Sequence, residues 1–284
     1  MPLQDIPVPL WIAFWGFIGL LIGSFLNVVI HRLPRMMEEE WKAECQQFIN
    51  PEAPRTSVTI SLLHPRSRCP HCDHAIQWYE NIPLVSYVML RGRCSACKQP
   101  ISTRYPIVEL ITAGLFAWCA AQHGYSAACV LWSIFAAALL SLALIDWDTT
   151  LLPDSITLPL LWLGLIGAAL GWSSNSLLPH FWGAVVGYTS LWSIYWAFKL
   201  LTGKEGMGFG DFKLFAALGA WFGWQALLPI ILMASIVGSV VGLILKLNAS
   251  LRPGGYIPFG PFLAGGAFAC LFLGPQTIMM GIGL

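Results

Sequence analysis

Two aspartates stand at the ends of long apolar stretches in a 284-residue sequence of which only 10% is charged. Asp211 belongs to the stretch GMGFGDFK (206–213), between two apolar runs, and Asp146 ends an earlier run. A carboxylate beside an apolar span is costly and usually functional. Two carboxylates that meet cannot both ionise, so they share one proton. The ionised group can then activate water while the protonated group donates to a carbonyl, which predicts amide hydrolysis, with ion coupling as the alternative.

The residues around the two aspartates refine this hypothesis. The glycines of the stretch 206–210 are expected to let another backbone approach closely. Asp154 is interpreted as the N-cap of the next apolar helix, and Asp148 has no clear role. Because Asp146 ends a helix and Asp211 begins one, the helix dipoles predict a protonated Asp146 and an ionised Asp211. The sequence contains no HExxH and no GxSxG motif, which argues against zinc-protease and serine-hydrolase chemistry.

Four cysteines form two CxxC pairs, a spacing typical of a structural zinc site. The four residues are Cys69, Cys72, Cys94 and Cys97. Two disulfides or four unrelated thiols are the alternatives. Disulfides are disfavoured, because the charge pattern of the chain predicts that this segment lies in the reducing cytoplasm. His71 and His74 lie beside the first pair and could replace a ligand. Four thiolates close a tetrahedral site, so we expect the zinc to be structural and not catalytic.

Cys119 and Cys129 lie near the outer ends of two neighbouring apolar runs. A disulfide there is one interpretation, and packing of two small apolar side chains is the other and the favoured one. The sequence does not decide between them.

The composition predicts an all-α polytopic membrane protein. Hydrophobic residues make up 57% of the chain and the mean hydropathy is +0.68, whereas soluble domains are about 45–50% apolar and about 25% charged. Apolar runs of roughly bilayer length predict about eight transmembrane helices. The runs cover residues 10–30, 105–121, 127–145, 156–172, 181–201, 212–224, 226–245 and 257–273. A net charge of +1, without a basic block, gives no reason to expect a nucleic-acid partner.

The basic residues predict the organisation and the orientation of the chain. Ten of the fifteen Lys and Arg lie in residues 31–104, which we interpret as a small cytoplasmic zinc-binding insert. All fifteen lie in or beside loops that are then cytoplasmic: 31–104, 146–155, 202–210 and 246–256. The predicted domains are an N-terminal transmembrane helix (1–30), the insert (31–104) and a membrane core (105–284).

These motifs together resemble the prepilin leader peptidase/N-methyltransferases of type IV pilus and type II secretion systems, a family of GxGD membrane aspartyl peptidases. The matching segments extend over nearly the whole chain. They are GSFLNVVIHRLP (23–34), the two CxxC pairs, ENIPLVSY (80–87), RYPIVE (104–109), the segment 145–154 that contains Asp146, and GKEGMGFGDFK (203–213).

The resemblance implies that Asp146 and Asp211 are the catalytic pair. It also implies cleavage of a short basic leader from prepilins and pseudopilins at the cytoplasmic face of the bacterial inner membrane. S-adenosylmethionine would then supply the methyl group for N-methylation of the new N-terminus, and the cysteine insert fits this bifunctional form. No glycine-rich strand–helix loop for that methyl donor is visible, so the methyltransferase residues are not identified.

Two other functions are compatible with the residues alone. The first is a zinc-ribbon transporter whose aspartates couple ions, although the two halves of the chain lack the similar helix breaks of such proteins. The second is a scaffold of a secretion system, which gives no reason for the aspartates.

Overall fold

The computed structural model describes residues 7–51, 60–173, 176–248 and 257–282. Part of the predicted insert (52–59) and most of the loop 246–256, including Arg252, lie outside these residues. The described chain is mainly helical and has no β-strand, only two isolated bridges. Its α-helices are α1 Val8–Ile49, α2 Val85–Met89, α3 Arg104–His123, α4 Ala127–Thr149, α5 Asp154–Ala169, α6 Leu177–Thr202, α7 Phe209–Phe222, α8 Leu227–Leu247, α9 Gly260–Leu273 and α10 Pro275–Ile282.

Each of the eight predicted apolar runs lies largely in one of these helices, but fewer helices qualify as spans. Within the described residues, three are long and apolar enough to cross a membrane: Val8–Ile49, Ala127–Thr149 and Trp224–Leu247. A fourth is added if Gly260–Leu273 and Pro275–Gly281, bent by 102°, count as one span. Helix α7 has 14 residues and is about 21 Å long, which is shorter than the roughly 30 Å hydrocarbon core.

Helix α1 does not end where its apolar run ends. It passes through Pro34 and continues to Ile49 without a break. Proline removes one backbone hydrogen bond from a helix. The residues that follow, EEEWKAECQQ (38–47), are mostly good helix formers and carry the helix onward. The first part of the predicted insert is therefore a continuation of α1.

The chain divides into two compact units, residues 1–137 and 138–284. In the first unit, α1 packs along α3 at two glycines. A Cβ added at Gly23 would lie 2.7 Å from the Cα of Glu109, and one at Gly19 would lie 2.8 Å from the Cα of Ala113. Small residues thus set the close approach of the two helices.

Cys119 and Cys129 lie in a buried cluster of the same unit, with Trp11 and Ala120. Both are free thiols and both are fully buried. The structure therefore agrees with the packing interpretation and contains no disulfide at this pair.

Helix α7 is the central element of the second unit, with buried side chains around its circumference. It crosses α6 so closely that Cβ atoms added at Gly183 and Gly219 would each overlap the backbone of the other glycine. Trp221 Nε1 donates to the carbonyl of Leu160 in α5 at 2.8 Å, and the His180 ring lies 2.9 Å from the carbonyl of Ala220. These contacts hold α7 and the aspartate at its start in place.

Candidate active site and four-cysteine site

Asp211 is the third residue of α7, where the helix begins after Gly208. Its carboxylate folds back, and Oδ2 accepts the backbone N–H of Gly208 at 3.2 Å. The start of a helix has unpaired N–H groups and a partial positive charge, which favour an anion. The side chain is buried, with only 5% of the residue exposed.

Asp146 lies in the last turn of α4 and is 4% exposed. Its Oδ2 accepts the backbone N–H of Gly260, the first residue of α9, at 2.9 Å. A Cβ at residue 260 would lie 2.6 Å from that oxygen, so a glycine is required there. Gly260 is a residue of the candidate site that the sequence analysis missed. The only local signal is the dipeptide Gly260-Pro261 at a helix start.

The structure brings the two predicted aspartates into one buried site, close enough for their charges to interact. Each carboxylate accepts one backbone amide at the start of a short helix, α7 for Asp211 and α9 for Asp146. The dipole argument for a protonated Asp146 and an ionised Asp211 therefore fails, because α9 gives Asp146 the stabilisation that α7 gives Asp211. Burial and mutual repulsion together favour a single proton shared by the pair.

The turn before Asp211 is fixed by α6. Gly203 ends α6 in the left-handed conformation (φ 71°), which suits a glycine at this position. After this turn, Glu205 contacts Lys199 in α6. Nζ of Lys199 donates to Oε1 of Glu205 at 2.8 Å and to the hydroxyl of Tyr195 at 3.2 Å. The lysine holds the pKa of Glu205 below its usual range. This exposed pair orients the loop that leads into the active-site helix.

Two glycines of the stretch 206–210 do not meet the backbone that the sequence analysis expected. Their nearest neighbours are side chains. A Cβ at Gly206 would lie 2.9 Å from the ring of Phe198, and one at Gly210 would lie 2.8 Å from Cβ of Leu152. Both glycines let a bulky side chain pack onto the turn and hold it.

The other two predicted carboxylates are separate from the pair. Asp154 is the first residue of α5, and the N-cap is Pro153, so the capping interpretation of Asp154 is wrong. Its two oxygens bind Nζ of Lys213 at 2.8 and 2.6 Å. Asp148 is exposed. Of the predicted carboxylates, Asp146 and Asp211 alone are buried among the described residues of this unit.

The two CxxC pairs fold as two matching turns in the first unit. In each turn the backbone N–H of the first cysteine donates to a carbonyl five residues later, to His74 from Cys69 and to Gln99 from Cys94. The residue after each second cysteine has a positive φ, 58° at Asp73 and 60° at Lys98. The turns therefore present their four thiols with the same local geometry.

The four thiols suit a tetrahedral metal ion. All four sulfur atoms lie within 4.8 Å of one another, and the Sγ atoms of Cys69 and Cys97 are 3.8 Å apart. Four sulfurs around zinc at about 2.3 Å are separated by about 3.8 Å from one another. The backbone N–H of His71 lowers the pKa of Cys69 to about 7, whereas the pKa of Cys72 is raised to about 12, against the N–H of His74, by burial and the neighbouring thiols. The indication of a metal site therefore comes from the geometry of the four sulfur atoms. His71 is not in the cluster, and the ring of His74 contacts Glu80 at 3.2 Å instead.

Apolar helices long enough to span a membrane, a buried aspartate pair in one unit and a four-thiol site in the other define a class of membrane-associated helical proteins. Family models match both parts of the chain. The Bacterial Peptidase A24 N-terminal domain matches residues 17–123, and the Type IV leader peptidase family matches residues 133–243. Because the second of these models matches and relatives about half identical cover most of the chain, the chain belongs to the type IV leader peptidase family.

Several relatives named prepilin leader peptidase/N-methyltransferase are similar over nearly the whole chain. Those of Stutzerimonas stutzeri and Pseudomonas aeruginosa are each 51% identical over 91% of this chain and 89% of their own length. That of Aeromonas hydrophila is 52% identical over 90% of this chain and 88% of its own length. No solved structure matches the chain.

Proposed function

We propose that this protein removes the leader peptide of type IV prepilins and pseudopilins and then methylates the new N-terminus. One observation carries the peptidase assignment: Asp146 and Asp211 form a buried pair in which each carboxylate accepts one backbone amide. Relatives that are about half identical over most of the chain bear names for both activities, peptidase and N-methyltransferase.

The proposed cleavage uses the single proton that the pair shares. The ionised carboxylate takes a proton from a water molecule, whose oxygen attacks the carbonyl carbon of the scissile peptide bond. The protonated carboxylate donates its proton to the carbonyl oxygen. When the tetrahedral intermediate collapses, the C–N bond breaks and the leaving nitrogen receives the proton that the pair holds. One hydroxyl of the intermediate returns its proton to the other carboxylate as the C=O bond forms again, so the pair regains its single proton. The amides of Gly208 and Gly260 hold each carboxylate in place through these steps.

The proposed second activity transfers a methyl group from S-adenosylmethionine to the amine that cleavage releases. The methyl donor is expected from the relatives' printed names. For the four-thiol site we propose Cys69, Cys72, Cys94 and Cys97 as ligands of a structural zinc ion. The separation of their sulfur atoms supports this choice.

We also propose the membrane arrangement that the charge pattern predicts. About eight spans divide the chain into an N-terminal helix (1–30), a cytoplasmic insert (31–104) and a core (105–284), with the active site at the cytoplasmic face of the bacterial inner membrane. The positions of all fifteen Lys and Arg support this orientation. Helices α5 and α7 would then cross only part of the bilayer, since both are short.

Purified full-length protein mixed with a prepilin in detergent tests the proposal. We expect the pilin to become shorter by its leader and, when S-adenosylmethionine is present, to gain the mass of one methyl group. A pilin of unchanged mass would contradict the peptidase assignment and favour an ion-coupling or scaffold role. Cleavage without the methyl group would contradict the second activity alone.

A further inference from the structure

A cavity of about 450 Å³ lies within the first unit, between α1, the start of α3 and the cysteine turns. Ligand sites for small molecules usually have volumes of about 300–1,000 Å³. Asn27 links two walls of the cavity, because its Nδ2 donates from α1 to the carbonyl of Tyr105 in α3 at 3.2 Å. The same Nδ2 also donates to the carbonyl of Gly23 within α1 at 3.2 Å. The proposed cleavage uses none of the residues that line this cavity.

Two carboxylates with little exposure line the cavity. Glu109 is 8% exposed, and its Oε2 accepts the backbone N–H of Leu84 at 2.8 Å. The side chain of Glu80 is 9% exposed, and its Oε2 accepts the N–H of Gln77 at 2.8 Å. That N–H holds the pKa of Glu80 below its usual range, so Glu80 is ionised at neutral pH. Carboxylates this poorly hydrated favour a cationic ligand.

Among apolar and neutral polar residues, the lining also contains basic and aromatic side chains. Arg32 and Arg68 are oriented by other groups: Nη1 of Arg32 donates to the carbonyl of Ser61 at 2.9 Å, and Nη1 of Arg68 to Asp73 at 2.7 Å. The rings of Tyr87 and Tyr105 add flat apolar surface to the cavity. The site thus combines negative groups, positive groups and aromatic rings around one small-molecule volume.

We propose that this cavity binds S-adenosylmethionine, with Glu80 and Glu109 facing its cationic groups. The molecule carries a sulfonium and an ammonium group, a carboxylate and a purine, which match the carboxylates, the arginines and the tyrosines of the lining. The inference rests on the proposed methylation. It assigns binding of the methyl donor to this cavity and does not require a glycine-rich nucleotide-binding loop.

The four-thiol site forms part of the same cavity. Cys69 and Cys94, the first cysteines of the two turns, lie in the lining together with Pro70 and Ser95. A metal that holds the two turns together would therefore also hold this wall. In this arrangement the zinc does no chemistry, and its role is to preserve the shape of the methyl-donor site.

Binding of S-adenosylmethionine to the full-length protein in detergent, measured by calorimetry, tests the assignment. Glu109→Gln and Glu80→Gln keep the size of the side chain and an oxygen that can accept the same backbone N–H. Each change should weaken binding by about tenfold or more, the loss expected for one charge-assisted contact. Glu38→Gln, on an exposed part of α1, is the matched control and should bind as the wild type does. Unchanged affinity in both cavity variants would overturn the assignment.

Ultraviolet crosslinking of labelled S-adenosylmethionine to the wild-type protein does not depend on how the variants fold. The label is expected on peptides from residues 24–32 or 67–109. Label confined to residues 138–284 would overturn the inference and leave the proposed methylation intact. A wild-type protein that binds no S-adenosylmethionine and transfers no methyl group would overturn both. If both variants still cleave the leader but lose methylation and binding, the inference is supported.

Discussion

At the scale of single residues, the site is defined by what holds each carboxylate. Asp146 and Asp211 belong to α4 and α7, and each receives one N–H from the start of a short helix. An aspartate at the end of its own helix would otherwise face unpaired carbonyls. The amide of Gly260 supplies a positive partial charge from a different helix. Two similar environments suit a pair of carboxylates that exchange roles in the proposed cleavage.

Asp146→Asn and Asp211→Asn are each expected to reduce leader cleavage by about 10²–10⁴-fold, because asparagine cannot accept or donate the shared proton. Rates measured by mass spectrometry of a prepilin substrate check this. Asp148→Asn is the control, since Asp148 is exposed and should retain activity. An active Asp146→Asn enzyme with an inactive Asp148→Asn enzyme would show that the pair is wrongly assigned.

Gly260→Ala should damage the site without removing any reacting group. The added Cβ would lie 2.6 Å from Oδ2 of Asp146 and push the carboxylate from its amide. A displacement of about 1 Å at a catalytic group can lower the rate by about 10²-fold. Gly265→Ala, in the same helix, meets nothing within 4 Å and serves as the control. Equal cleavage rates for the two variants would argue that Gly260 does not position Asp146.

The meeting of the two aspartates was predictable from the sequence, and the contact of Gly260 with Asp146 was not. A charged residue beside an apolar run is a local signal, and two of them on the same predicted side of the membrane suggest a pair. Gly260 lies 114 residues from Asp146, and its N–H is important only because α9 begins beside α4. Such a contact depends on tertiary structure, which no local pattern contains.

At the scale of helices, close packing at glycines holds α7 against α6. A Cβ at Gly219 would overlap the carbonyl of Gly183, and backbone cannot yield as a flexible side chain can. Gly219→Ala should therefore lower the free energy of unfolding by about 1–3 kcal/mol, despite the better helix propensity of alanine. Thermal unfolding in detergent checks this. Gly114→Ala, in open space on α3, should be neutral or stabilising, and an equal loss in both variants would contradict the packing argument.

The helices were largely predictable and their exact ends were not. Apolar runs give a strong local signal, so all eight runs lie largely in helices. A helix from about Met36 to Phe48 was also predictable, whereas its continuity with the first span through Pro34 and the 102° bend between α9 and α10 were missed. Proline within a helix is normally a signal to stop. In α1 the residues on both sides favour the helix, so the boundary predicted at residue 30 does not coincide with a helix end.

At the scale of the whole molecule, the proposed orientation rests on the positions of the basic residues. Lys199, Lys204 and Lys213 surround the active-site turn, whereas the segment near His123 has no Lys or Arg. A green fluorescent protein fused after residue 204 should therefore fluoresce in the cytoplasm, and alkaline phosphatase fused after residue 123 should be active outside it. A fluorescent fusion after residue 123 would reverse the predicted orientation.

The division into two units predicts that the two proposed activities depend differently on the metal. The four cysteines and the cavity lie in residues 1–137, and both aspartates lie in residues 138–284. In the double variant Cys72→Ser/Cys97→Ser, bound zinc should fall from about one equivalent to almost none, because two of four ligands are lost. Binding of S-adenosylmethionine should weaken by about tenfold or more, since the wall formed by Cys69 and Cys94 loses its support. Leader cleavage should fall less than methylation.

Zinc content, calorimetry and the mass of the processed pilin, measured on the same purified samples, check this prediction. Cys45→Ser is the control, because Cys45 is an exposed free thiol on α1 and takes no part in the cluster. A double variant that keeps its zinc would contradict the four-thiol site. One that loses zinc but binds S-adenosylmethionine as the wild type does would separate the metal from the cavity. If cleavage were lost while methylation of an already processed pilin remained, the dependence on the metal would be the reverse of the one argued from the two units.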